Sequence, residues 1–321
     1  MTLLTKLPSA GRLLMQAAFK RENRPLIDAN IATLPATILK YAAPSIEKKQ
    51  FNKFHQVTNW QGHALHPCYL HVMSFPLHLM LMLQKKFPFS LLGLVHIANE
   101  ITQYRPIYAD EACVFSCYFR DITPHSKGIV FSIITEIRIN GELCWSSESA
   151  NLYRSAAYSP AQDSTGDTQK RSVTNNQEHK GLDSQHDPLQ QRGRDNRQTW
   201  KLGRDLGRRY ARASGDYNPI HLAKLSAQLF GFKQAIAHGM WSKSRCISAL
   251  EQLTPEPFKK GFTTNVQFIK PILLPNKLCF SASWNENLAI EKIKVDAHHV
   301  KFSLDSEKGN TPHLNGELMA I

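Results

Sequence analysis

Residues 210–240 read YARASGDYNPIHLAKLSAQLFGFKQAIAHGM. Asn218 is a favoured helix N-cap, and Pro219 suits the first helical position, where a missing N–H costs nothing. The spacing predicts a helix that starts at Pro219 and stops near Gly231, because glycine readily adopts the left-handed conformation that closes a helix. Asp216 then lies in the loop feeding that helix and His221 in its first turn, so both can face one spot. The positive end of the helix favours an anionic Asp216 and disfavours a charged His221. A carboxylate beside a neutral imidazole suits general acid–base chemistry near neutral pH. Farther on, His238-Gly239-Met240 opens a second helix, whose unpaired N–H at Gly239 is a ready donor to an oxyanion. Each feature alone is equally a capped turn or a packing glycine; the argument rests on the whole string.

As a string, SGDYNPIH followed by AHGM resembles the MaoC-like hot-dog family, which includes the (R)-specific, or type-2, enoyl-CoA hydratases and dehydratases. The resemblance continues through Phe262–Phe268 and Lys270-Pro271-Ile272-Leu273-Leu274-Pro275. It implies a lyase in which Asp216 and His221 hold a water and add it to a trans-2-enoyl thioester, or run the reverse dehydration. It further implies that Asn218 orients the pair and that the Gly239 N–H meets the thioester carbonyl. His238 and Met240, on either side of Gly239, would contact substrate. The partner so implied is an acyl-CoA or acyl carrier protein thioester; no cofactor and no metal are called for, and a homodimer is compatible with it. A non-catalytic thioester-binding or regulatory protein is the alternative, and a thioesterase of the same fold a third.

Composition agrees with a two-domain globular protein. The chain has 321 residues, 42% of them hydrophobic, a formal charge of +13 and a pI near 9.5. A basic protein prefers acidic partners. Lys and Arg are not striped with aromatics, which speaks against nucleic acid. Arg204, Arg208, Arg209 and Arg212 precede the central string, and Lys243 and Arg245 follow it; these read as solvated surface, some of them available to phosphates or a carrier protein. The apolar runs are too short and interrupted for a membrane-spanning helix. The basic N-terminus lacks a cleavable signal pattern and reads as an amphipathic helix. Six scattered cysteines without a CxxC pair suit reduced thiols in the cytoplasm.

From Ser155 to Gln198 hardly any large apolar residue occurs, and six acids balance six bases. Such a segment cannot offset its ordering entropy and reads as a disordered linker. The expected organisation is therefore a degenerate first domain over 1–154, a linker over 155–198 and a catalytic domain over 199–321. The flanks share a plan. His71–Leu83 sits where His238–Leu250 sits, and Arg105-Pro106-Ile107 echoes Lys270-Pro271-Ile272. Asn140-Gly141 between two β-rich runs is the dipeptide of a type I′ hairpin. The expected fold is α+β, a double hot-dog in which two curved antiparallel sheets each wrap a central helix. The first half lacks an Asp-x-Asn-Pro-x-His string and has Val72 in the place of Gly239. It should carry no acid–base pair of its own, and its Leu77–Leu83 run is core or acyl tunnel.

Overall fold

The computed structural model describes residues 2–19, 33–91, 93–154, 193–285 and 299–321. The first half opens with strand β1 (Thr2–Leu4) and helix α1 (Ala10–Phe19), followed by β2 (Leu39–Ala43) and α2 (Lys48–Thr58). The core helix α3 (Pro67–Met82) comes next, and then β3 (Leu94–Gln103), β4 (Cys113–His125), β5 (Gly128–Ile139) and β6 (Glu142–Arg154). The N-terminal helix is amphipathic as expected: Ala10, Leu13 and Ala17 are buried while Met15 is exposed. β5 reads GIVFSIITEIRI and is buried along nearly all its length, as β-branched strands covered on both faces are. Asn140 and Gly141 take φ values of 51° and 85°, the left-handed geometry of a type I′ turn, and join β5 to β6.

The second half runs β7 (Gly193–Leu202), α4 (Leu206–Ser214), a 3₁₀ turn (Pro219–His221) and α5 (Lys224–Gln228). It continues with α6 (Gly239–Leu253), α7 (Glu256–Lys259), β8 (Phe262–Phe268), β9 (Asn276–Asn285), β10 (His299–Ser306) and β11 (Pro312–Ala320). All these strands join one sheet in the order β1-β2-β4-β5-β6-β3-β8-β11-β10-β9-β7. Counted outward from the β3–β8 seam, the halves have the same connectivity. β3-β6-β5-β4-β2 in one matches β8-β11-β10-β9-β7 in the other, with a core helix after the first strand of each. The duplication legible in the sequence is thus repeated strand for strand. The seam is antiparallel, pairing Ala98 with Gln267 through Gln103 with Phe262.

Three expectations change. The linker bounds were too wide: residues 155–192 lie outside the described residues, but Gly193–Gln198 belong to β7 and pair with β9. Backbone hydrogen bonds and Trp200, stacked on Phe280 with centroids 5.1 Å apart, anchor a strand whose polar composition hides it. The helix expected from Pro219 to Gly231 is instead the 3₁₀ turn and the short α5, parted at Ala223, whose backbone is extended. Ile236 N donates to Ile220 O at 3.1 Å and the His221 ring bonds Ile236 O, so tertiary bonds hold the chain off the helical path. Gly231 does take a left-handed φ of 83°. Finally, the first-half counterpart of Gly239 is Pro67, not Val72. α3 starts at Pro67 behind an N-cap His66, as α6 starts at Gly239 behind His238. Proline has no N–H, so this helix start cannot offer the donor that Gly239 offers.

Candidate active site

α4 ends at Ser214, and Gly215, with φ 77°, turns the chain left-handed into the site loop. Asp216 Oδ1 accepts from Asn218 N at 3.1 Å, an Asx turn that fixes the carboxylate. Asn218 Oδ1 in turn caps the 3₁₀ turn through Ile220 N at 3.4 Å. His221 is buried, and its Nδ1 meets Ile236 O at 2.8 Å. A carbonyl can only accept, so Nδ1 carries the proton and Nε2 is left as a lone pair. Close packing makes this placement possible. Gly207 in α4 lies against the His221 carbonyl, and a Cβ there would collide with it.

His238 caps α6 and is 3% exposed. Its Nε2 lies 3.1 Å from Asp216 O and 3.8 Å from Asp216 Oδ2. Its ring stacks on His221 with centroids 3.7 Å apart and lies tilted against Tyr210 at 4.7 Å. Expected as a substrate contact, His238 is instead packed beneath the Asp216–His221 pair, so its geometry is that of a positioning residue. Met240 is partly buried and packs against the core beside it. Gly239 begins α6, and the Phe268 ring covers the space a side chain would need, with Cε1 3.2 Å from an ideal Cβ. Tyr210, Phe268 and Gly207 were not singled out in the sequence. Only the basic face of α4, with Arg208, Arg209 and Arg212, hinted that the opposite face is buried.

Burial sets the charge states. Asp216 is pushed above the usual carboxylate range by burial, against which His221 and the Asn218 backbone amide pull. Its side chain keeps 26% exposure, enough for water to reach it. Burial lowers His221, with Asp216 opposing, and burial together with His221 lowers His238 further. Burial thus favours the neutral form of both imidazoles and works against ionisation of Asp216.

Asp216, His221 and His238 bring one potential ligand atom each within 4.8 Å of one another, the one such group among the described residues. Each imidazole has one nitrogen on a backbone carbonyl, His221 Nδ1 on Ile236 O and His238 Nε2 on Asp216 O, and the two rings lie face to face.

Of the basic residues, Arg204, Arg208, Arg209 and Arg212 are exposed as expected. Lys243 is not a surface group, and Arg245 is half-buried. Lys243 is fully buried, donating to Asn99 O at 2.8 Å, Asn99 Oδ1 at 2.7 Å and Thr264 O at 3.2 Å. Arg245 lies over the Trp200 ring at 4.2 Å. Both are spent on structure.

Two matching half-sheets, each wrapped on its helix, with a carboxylate and two imidazoles gathered near one helix start, define a double hot-dog protein. Residues 186–303 match the model of the family described as MaoC like domain. Over 254 residues the chain is 26% identical to 3-hydroxyacyl-thioester dehydratase X of Mycobacterium tuberculosis, covering 79% of this chain and 78% of that protein. The crystal structure of HtdX from Mycobacterium tuberculosis superposes with a TM-score of 0.65 at 22% identity, over 88% of this chain and all of the other. A MaoC-like dehydratase from Phytophthora capsici gives a TM-score of 0.66 at 15% identity, over 92% and 98% of the two chains. Among the described residues no helix is long and apolar enough to cross a membrane.

Proposed function

We propose that the protein is a hydratase/dehydratase that interconverts trans-2-enoyl and (R)-3-hydroxyacyl thioesters in fatty-acid metabolism. The observation that carries this reading is the neutral His221, its Nε2 lone pair free, beside the Asx-held carboxylate of Asp216 and the open helix start at Gly239. A water held by Asp216 and His221 loses a proton to the pair as its oxygen bonds C3 of the enoyl group. The electron pair of the C2=C3 bond moves toward the thioester oxygen, which the Gly239 N–H receives. Return of one proton to C2 completes the addition, and the same steps reversed expel water. Asn218 fixes Asp216 through the turn, and His238 holds the backbone of Asp216 and the face of His221. Both acyl-CoA and acyl carrier protein thioesters fit this chemistry, and the six free cysteines suit a cytoplasmic location.

Purified protein with crotonyl-CoA tests the reading. Loss of the enoyl absorbance without release of free thiol is the expected result. Thiol release would make it a thioesterase, and binding without turnover a thioester-binding protein.

A further inference from the structure

The first half contributes a half-buried histidine, one ring nitrogen of which is buried, close to the site. His96 lies on β3, at a bulge where the β3–β6 register slips between His96 and Ala98. Bulges re-aim side chains, and they gather beside active sites. The His96 ring faces inward. It packs on Phe268 with centroids 5.1 Å apart, and Phe268 is the ring that covers Gly239. On its other side it stacks on His71 of α3 at 5.9 Å, and His71 meets His78 at 5.3 Å. His96 therefore stands on the line from the Gly239 helix start into the core of the first half.

Its neighbours are paired. His78 Nε2 lies 2.7 Å from Thr135 Oγ1 and 3.2 Å from Ser74 Oγ. His71 Nδ1 reaches Ser147 Oγ at 3.4 Å, and Asn99 Nδ2 donates to Ser147 Oγ at 2.9 Å. His96 Nε2 is buried with no hydrogen-bond partner among the described residues. Leaving a buried polar atom unsatisfied is costly, which gives such an atom a ligand-facing reading. The ring is uncharged: burial, then the charge of Lys243, bring it down to about 4, opposed by a hydrogen bond with the Ala98 backbone. A neutral imidazole nitrogen pairs with a hydroxyl in either tautomer, because a hydroxyl both donates and accepts.

We infer that His96 is a specificity-determining residue supplied by the first half, whose Nε2 hydrogen-bonds a hydroxyl on the acyl chain beyond the reacting carbons. The substrate class is then an enoyl or 3-hydroxyacyl thioester with a second oxygen function farther along the chain. This rests on the hydratase reading, which places the thioester oxygen at Gly239 and sends the acyl chain past Phe268. The phosphates and pantetheine belong at the surface, away from a cluster of buried histidines.

The test compares kcat/KM for trans-2-hexenoyl-CoA and trans-2-octenoyl-CoA with that of their terminally hydroxylated analogues. Crotonyl-CoA, which carries no carbon beyond C4, is the control. Sites that bind a hydroxyl discriminate against analogues lacking it, so at least one hydroxylated substrate should be favoured by about tenfold or more in the unaltered protein. His96→Leu should abolish that preference, His96→Gln should retain part of it, and neither should change crotonyl-CoA turnover by more than about twofold. Absence of any hydroxyl preference in the unaltered protein, or a preference that survives His96→Leu, overturns the inference. A protein that does not turn over crotonyl-CoA at all fails at the earlier step and refutes the hydratase reading instead.

Discussion

At the scale of single residues, the chemistry was readable because it lives in one contiguous string. Asp216 and Asn218 are held by bonds between near neighbours, and short-range chemistry is what a sequence displays; the His221 ring is held from farther along the chain, by Ile236 O. Gly207 and Phe268 escaped because they act across space, one against the His221 carbonyl and the other over Gly239. Gly207→Ala should therefore lower both stability, by about 1–3 kcal/mol for a forced overpacking, and turnover; denaturant titration and crotonyl-CoA kinetics on the one variant check both. Gly239→Ala brings a methyl within 3.2 Å of Phe268 and should cost about ten- to a hundredfold in kcat, with Phe268→Leu in the same chain restoring part of it. Hydration needs Asp216 ionised and His221 neutral. Because burial raises Asp216 above the ordinary carboxylate value of 3.8 and lowers His221, the acid limb of the kcat/KM profile should lie above pH 3.8. A limb at or below pH 3.8 would mean that burial does not raise Asp216 as described.

Among the elements, the hairpin at Asn140-Gly141, the two core helices and the repeated strand plan were legible from turn chemistry and periodicity. The polar strand β7 was not, because its place is decided by pairing with β9 rather than by its own composition. The seam between β3 and β8 holds a group that local pattern also could not reveal. Lys243 looks like a surface cation, yet it rises from α6 to bind carbonyl oxygens of both seam strands. Burial brings its ammonium down to about 7 from 10.5. Between those values the unfolded chain holds a proton that the folded chain has released, so stability rises with pH across that window. Lys243→Met should flatten the rise, seen as unfolding free energy from pH 7 to 10 by denaturant titration. An unchanged slope would show that Lys243 stays charged on its three acceptors.

For the whole molecule, buried neutral histidines set the response to acid. His66 and His78 are brought down to about 3 and His96 to about 4, chiefly by burial, whereas an unfolded chain takes up these protons near 6.5. Stability should therefore drop as pH falls from 6.5 toward 4, by up to about 1.4 kcal/mol per pH unit for each such group. Thermal melts from pH 7 to pH 5 read this directly, and a flat melting temperature would contradict it. The same duplication that built a two-half sheet left chemistry on one side only. The first half begins its core helix with Pro67 and offers no donor there, while the second begins its own with Gly239 beside Asp216 and His221. One acid–base pair per chain is the central claim, and turnover of crotonyl-CoA by full-length Asp216→Asn, His221→Ala and the double variant tests it most directly. Each single variant should lose about a hundredfold or more in kcat with little change in thioester affinity, and the double should be scarcely worse, since both residues act on one water. Activity within about tenfold of the unaltered protein in either variant would place the chemistry elsewhere in the molecule.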